Sequence, residues 1–340
     1  MYAGVDLGAS RLRAVVGDAD GAIAGRSERS TPRESGIAVT EAVLETVRAA
    51  CGETGVIPAD LQAVGVGSIG PLDLAAGTVE RPANLPVERV PLRGPLSELV
   101  GGEVSVHNDT TAGVIGERYY SDRAPDDMVY LTISSGIGAG VSVDGRVLRG
   151  WDGNAGEVGH YVVDPAGGLT CGCGRPGHWE AYCSGANIPR YARLLASEHP
   201  AEAADSSLPV DPPFPAADGS HEDEDAFDPT DPESRPEFET SAVFEAAGTG
   251  DRFAERVLER VATWNAVGVT NVVHAFAPLA VYVGGAVALS NPGQVIDPIR
   301  ERLQETVMTN VPDVRPTTLG EDVVLRGALA SALTGGPGRD

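Results

Sequence analysis

The chain has 340 residues, 42% of them apolar, enough for two modest lobes with real cores. No apolar run approaches the ~20 residues that span a bilayer and no signal peptide opens the sequence. There are 49 acids against 25 bases, and the net charge of −24 repels nucleic acid and anionic membrane.

Every one of the bases is Arg. The absence of lysine excludes a P-loop lysine, a protein-kinase strand lysine and any Schiff base, so phosphate must be handled by backbone N–H groups, Arg, hydroxyls and metal. The acid excess suits solubility in a very salty cytoplasm, where salt screens the repulsion. Four cysteines, two of them in a metal-like setting, fit a reducing compartment.

Residues 2–8, 12–18 and 22–27 read as three short strands joined by turns, and a helix with apolar residues at helical spacing follows over 37–50. Cys51, in that apolar stretch, reads as core. Between the first two strands lies Asp6-Leu-Gly8-Ala-Ser10-Arg11. Such a turn brings a carboxylate and several N–H groups to one point, where the amides can cradle phosphate and Asp6 can hold magnesium through water. Ordinary β-hairpins also carry Asp and Gly, so the motif is weak by itself.

Residues 61–68 and 104–107 are further β-rich runs. Between them, Ser68-Ile-Gly70-Pro71-Leu-Asp73 and Pro82-Ala-Asn84-Leu85 mark turns, and Asn84 can both donate to and accept from hydroxyls. Asn108-Asp109 opens a helix over 109–118. An Asp there caps its helix, and the helix N-terminus favours the ionised carboxylate that a proton acceptor requires.

Residues 128–133, 139–143 and 161–163 repeat the hairpin theme around a second glycine turn, Ser134-Ser135-Gly136-Ile-Gly138-Ala-Gly140. The stretch that follows packs Glu157, His160, Cys171, Cys173, His178 and Glu180 among glycines. Two thiolates one residue apart, with imidazoles before and after, supply four N/S ligands and suit tetrahedral zinc. Cys183 is an alternative fourth ligand. The cysteines could also be small buried hydrophobes, or a disulfide. Glu157 and Glu180 are poor additions to a closed zinc site and suit a polyol.

Helical patterns cover 186–197, 241–247 and 251–277. Between the first two, residues 200–239 hold thirteen acids, one Arg and eight Pro, and read as a disordered or loosely held insertion serving solvation. The end alternates again: strand 279–283, helix 295–307, strand 322–325, helix 327–333. Two units that each open with glycine-turned hairpins and finish in β/α alternation indicate a duplicated α/β architecture.

The run from Gly150 to Glu180 resembles the signature of the ROK family of sugar kinases and related repressors: G-x-x-G-x-A-G-E-x-G-H, then C-x-C-G-x-x-G-C-x-E. Here His178 stands at the third Cys position. Asn108 to Glu117 is similar to the family's N-D-x-x-x-A/G-x-x-G-E, and Gly284-Gly285-Ala286 resembles its adenosine-contacting turn. The Gly70–Asn84 region resembles its sugar-pocket loop, with Gly-Pro in place of Pro-Gly.

The resemblance implies the actin–hexokinase (ribonuclease H-like) ATPase fold, two α/β lobes around a cleft. Residues 1–108 would form the small lobe and 109–318 the large one, with 319–340 returning to the small lobe. It also implies structural zinc on His160, Cys171, Cys173 and His178. ATP with Mg2+ would lie along Asp6, Gly8, Ser10, Arg11, Ser135, Gly136, Gly138, Gly284 and Gly285. A hexose would sit among Gly70, Asn84, Asn108, Asp109, Glu157, His160 and Glu180, with Asp109 taking the proton of the 6-hydroxyl. Glucose is the substrate that this pocket set most resembles, and relatives are commonly homodimers or homotetramers. Mannose, fructose, allose or an N-acetylhexosamine as substrate, and ADP or polyphosphate as donor, stay open. So does a non-catalytic sugar-binding regulator, although such members carry a helix-turn-helix domain ahead of the first phosphate turn.

Overall fold

The computed structural model describes residues 1–82, 84–123, 125–210 and 238–336. The first half runs β1 (Tyr2–Leu7), β2 (Arg11–Gly17), β3 (Ile23–Ser30), α1 (Gly36–Thr54) and β4 (Ala63–Ser68). Three short strands, β5 (Leu72–Asp73), β6 (Thr78–Glu80) and β7 (Arg89–Pro91), precede α2 (Arg93–Leu99), β8 (Glu103–Asn108) and α3 (Asp109–Tyr120). The second half runs β9 (Met128–Ile133), β10 (Ile137–Val143), β11 (Arg146–Val147), α4 (Glu180–Cys183), α5 (Ile188–Glu198), α6 (Pro200–Ala203), α7 (Thr240–Gly248) and α8 (Arg252–Phe276). It closes with β12 (Ala280–Gly284), α9 (Ala286–Ser290), α10 (Pro292–Thr306), β13 (Asp313–Pro316) and α11 (Val323–Thr334).

The two main sheets have the same plan. One has the order β3-β2-β1-β4-β8 and the other β11-β10-β9-β12-β13. In each, an antiparallel hairpin pair leads into two parallel strands, β4 and β8 or β12 and β13. The duplication read from the sequence is therefore real, and each sheet has its own apolar core. Central strands such as β1 and β12 are buried almost throughout, as parallel-sheet strands covered on both faces must be.

Helices α3 and α11 pack on each other between the lobes. α11 also covers β1 and β4, and it lies so close that a Cβ at Gly4 would stand 2.6 Å from the Leu329 backbone nitrogen. Glycine is required there by close approach rather than by backbone angle. Glu117, buried near the end of α3, accepts hydrogen bonds from the Thr317 hydroxyl and, at 3.2 Å, from the Thr318 amide, tying α3 to the chain just after β13.

Two expected strands are not strands. Residues 161–163 make only an isolated bridge, Val162 with His178, because a glycine-rich knuckle rather than a neighbouring strand lies alongside. Residues 322–325 straddle a 3-10 turn and the start of α11. Their apolar side chains are the first part of a helical face that buries Val323, Leu325, Ala328 and Leu329, while the edge strand lies earlier, at β13.

The acidic segment 200–239 also departs from expectation over its first eleven residues. α6 begins there, and Ala203, Leu208 and Val210 are buried in the large-lobe core. Ser206 and Ser207 hydrogen-bond Asp251, the N-cap of α8, at 2.7–2.9 Å. Residues 211–237 lie outside the described residues. Replacing 200–210 by a Gly/Ser linker is expected to destabilise the fold by roughly 1.5–3 kcal/mol for each of Leu208 and Val210. Urea unfolding checks this, and an unchanged midpoint would show that the two side chains contribute nothing.

Candidate active site

The first phosphate-type turn is closed by the Gly8 amide donating to the Arg11 carbonyl at 3.0 Å, and by the Thr31 hydroxyl donating to the Gly8 carbonyl at 2.8 Å. The amides of Ala9 and Ser10 donate to no protein group among the described residues. In the second turn the Ser134 amide donates to the Gly136 carbonyl at 2.9 Å, and the Ser135 and Gly136 amides are likewise free. Each hairpin therefore offers two adjacent N–H donors, the arrangement that binds phosphate oxygens.

Asp6 was expected to face a metal. Its register partner across the hairpin is Arg13, whose Nε and Nη2 donate to Asp6 Oδ2 at 3.0 and 2.5 Å. Burial raises the Asp6 pKa against this pairing. Arg13 also donates to Asp322 Oδ1 at 3.0 Å and to the Glu321 carbonyl at 2.8 Å, which ties the turn to the segment before α11. Asp6 Oδ1 has no protein donor among the described residues, so the carboxylate fits a magnesium ion held through water at that oxygen. Arg11 is exposed and pairs with exposed Glu321 at 3.1 Å. Sequence reading missed Arg13 and Asp322; counting back from the turn would have found Arg13.

Asn108 caps α3, accepting from the Thr110 amide at 2.9 Å and the Thr110 hydroxyl at 2.7 Å. Asp109 follows as the first helical residue. The Thr110 hydrogen bond lowers its pKa, but burial, with Asp6 and Glu157 nearby, outweighs that and pushes it up to about 7. The helix terminus alone predicted an ionised carboxylate; burial among like charges wins instead. A Cβ on Gly70 would stand 3.3 Å from Asn108 Nδ2, and one on Gly138 3.1 Å from Thr110 Cγ2, so both glycine loops abut this helix start.

Glu180 Oε2 accepts from the Ile137 amide at 2.8 Å, which fixes α4 beneath the second glycine turn. Burial raises its pKa, while His160 lowers it. Glu157 is exposed and stands near enough to Asp109 for its charge to raise the Asp109 pKa. Asn108, Asp109, Glu157 and Glu180 thus form one acceptor-rich group, which a polyol can satisfy with its hydroxyl protons. Asn84 is exposed on the β6–β7 connection and makes no side-chain hydrogen bond among the described residues. Gly285, with φ +88, backs onto the end of β9, and Gly284 pairs with Thr132, so this turn lies beside the second phosphate turn.

His107, also missed, is buried directly before Asn108. Its Nε2 lies 2.6 Å from Ser331 Oγ and its Nδ1 3.3 Å from Arg149 Nη2. Burial lowers its pKa to about 3, and the ring stays neutral.

The proposed zinc ligands converge. Nitrogen or sulfur atoms of His160, Cys171 and His178 all lie within 4.8 Å of one another. Cys173 Sγ is 3.2 Å from His178 Nδ1, and the two imidazoles stack at 5.2 Å. His160 Nδ1 is buried without any hydrogen-bond partner among the described residues. A buried orphan nitrogen amid thiols and a second imidazole is what a metal ligand looks like without its ion, so these residues fit zinc. The knuckle is shaped by the Cys171 amide donating to the Arg175 carbonyl and the Gly174 amide to the Cys171 carbonyl, at 2.9 and 2.8 Å. Cys183 is excluded as a ligand, because it is buried and its Sγ contacts the Val261 carbonyl. All four cysteines are free and Cys51 is buried in the small-lobe core.

A duplicated α/β pair of lobes, with free amides on matched hairpins and a half-buried carboxylate at the start of the helix between them, defines the actin–hexokinase ATPase class. The ROK family profile matches residues 2–334, and the chain belongs to that family. A glucokinase of Pyrobaculum calidifontis is 34% identical over 97% of this chain and 94% of its own length. A ROK hexokinase from Thermus thermophilus superposes with a TM-score of 0.75 at 31% identity, covering 97% of both chains. A ROK glucokinase from Streptomyces griseus, solved with glucose and AMPPNP, gives 0.71 at 30%, covering 97% of this chain and 98% of that one. The protein is a sugar kinase. No helix among the described residues is long and apolar enough to cross a membrane.

Proposed function

We propose that the chain transfers the γ-phosphoryl group of ATP to the 6-hydroxyl of glucose, with Asp109 accepting the hydroxyl proton. The observation that carries this reading is the position and basicity of Asp109: it opens α3 between the two glycine turns, with a pKa near 7. Phosphoryl transfer asks the protein mainly for in-line geometry and charge stabilisation. The free amides of Ala9, Ser10, Ser135 and Gly136 would hold phosphate oxygens, and Asn108, Glu157 and Glu180 would orient the sugar. Magnesium, carried in with the nucleotide, supplies charge neutralisation. Zinc on His160, Cys171, Cys173 and His178 would leave chemistry to these groups and fix the loop bearing Glu157 and Glu180. The glucokinases of similar sequence support glucose as the substrate.

A coupled assay of a hexose panel with ATP and magnesium, in molar KCl to suit the charge of −24, tests the assignment. Glucose should give the highest kcat/KM, and another hexose with a higher value would replace it.

The base must be deprotonated to act, so kcat/KM for glucose should rise with pH through about 7 and level off above. Stability should move the other way. Asp109 has a higher pKa folded than unfolded; its contribution is fully present below its unfolded pKa and is lost as pH rises through about 7. A kcat/KM profile flat from pH 5.5 to 8.5 would remove Asp109 as the titrating base.

A further inference from the structure

The cleft carries a second pocket beside the site just assigned. Its small-lobe wall is the stretch 72–75 and its large-lobe wall the stretch 149–154, and its volume is about 520 Å³. That is room for a small molecule. Neither Asp109, Glu157 nor Glu180 lines it. It nevertheless adjoins their site: the Ala155 amide donates to the Arg149 carbonyl at 3.2 Å, two residues before Glu157, and Arg149 reaches His107, which precedes Asn108.

Trp151 stands at this pocket with 96% of its surface exposed, the most exposed large hydrophobic side chain among the described residues. A lone indole in water forgoes the burial that makes Trp useful, and its flat face is a ready platform. Gly150 and Gly153, with φ of +69 and +91, turn the backbone on either side. Gly153 packs against Leu74 of the facing wall, so the two lobes meet there.

The polar groups are mixed in sign. Arg149 Nε is buried with no hydrogen-bond partner, and no carboxylate pairs with its guanidinium among the described residues. Asp73 accepts from the Ala76 amide at 2.9 Å through Oδ1, and Asp152 accepts from the Asn154 amide at 3.1 Å and is held also by the Asn154 side chain, so both carboxylates face the pocket as acceptors. Two aspartates disfavour an anion, and the charged walls disfavour an apolar ligand. A pyranose ring suits all of them. Its C–H face stacks on an indole, its hydroxyls donate to carboxylates, and its oxygens accept from guanidinium.

We propose that this pocket is an outer carbohydrate subsite, which takes a second sugar ring joined to the hexose in the inner site. The inference rests on reading the inner site as a hexose site. Trp151 is the platform and Arg149, Asp73 and Asp152 provide the hydrogen bonds. The protein then binds disaccharides of glucose more tightly than the inner site alone allows.

Calorimetric titration with maltose and cellobiose, which needs no indole reporter at position 151, tests this. At least one disaccharide should bind the native protein about tenfold more tightly than Trp151→Ala. Trp151→Phe should restore binding to within about threefold, with the KM for glucose changed less than about twofold in both variants. Equal disaccharide affinity in Trp151→Ala and native protein would overturn the subsite. A glucose KM that rises by the same factor as the disaccharide Kd would also overturn it, making the loop a cover for the inner site. Native enzyme that phosphorylates glucose yet binds neither disaccharide sinks the subsite alone. Failure to phosphorylate any hexose sinks the reading of function, while Trp151-dependent disaccharide binding is still read independently.

Discussion

Asp109→Asn should lower kcat for glucose by roughly 10²–10⁴, with the Kd for glucose nearly unchanged, because the amide keeps the shape and hydrogen bonding but cannot take a proton. The same substitution should raise the melting temperature above pH 7. There the native carboxylate is ionised in a half-buried, poorly solvated place beside Asp6 and Glu157, at a cost that an amide does not bear. The pair of effects separates a base from a helix cap. A residue that merely capped α3 would lose stability on substitution and keep its turnover, and Asn108 already fills the cap by accepting from the Thr110 amide. Steady-state kinetics and thermal unfolding of one variant decide the matter, and near-native turnover would remove the assignment.

The second large effect concerns the metal. Protein purified without added metal should carry about one zinc per chain, measured by elemental analysis. Cys171→Ser should lose it. Without an ion, burial pushes the Cys171 thiol up to about 12; a bound cation reverses that by taking the thiolate. Structural zinc supplies on the order of 10 kcal/mol in small domains that depend on it. Here the loop is also anchored by Trp179, whose Nε1 donates to Asn265 at 2.8 Å. A loss of at least ~2 kcal/mol is therefore expected, together with about a tenfold weaker hold on glucose, since the loop carries Glu157 and Glu180. Folded, active protein free of zinc would show that His178 in place of a thiolate does not support a metal.

The chemistry-bearing turns were legible because their physics is local. A carboxylate, a glycine and a hydroxyl between two strands can be recognised from Asp6 to Ser10 without knowing what lies opposite. The knuckle from Cys171 to His178 has the same character. What was hidden depends on partners far along the chain. Arg13 reads as one more charged residue until the register sets it against Asp6 and Asp322. His107 gains meaning only from Ser331 and Arg149.

The run Val323-Val324-Leu325 is too short for periodicity to tell a strand from the start of a helix. α11 decided it by burying a helical face. Leu208 and Val210 were masked by averaging, since an acid-rich window hides two apolar residues at its edge.

The packing of α11 bears on how the molecule is made. Strand β1 leaves the ribosome well before α11, the helix that covers β1 and β4. Until it arrives, the apolar face that receives Leu325 and Leu329 is open to water, and Arg13 lacks Asp322 to balance it against Asp6. The first phosphate-type turn is thus synthesised long before the segment that completes it. The small lobe must wait through synthesis of the whole large lobe, and such long-range closure is intrinsically slow. A nascent chain stalled before α11 would hold a folded large lobe beside an unfinished partner, and no catalytic cleft.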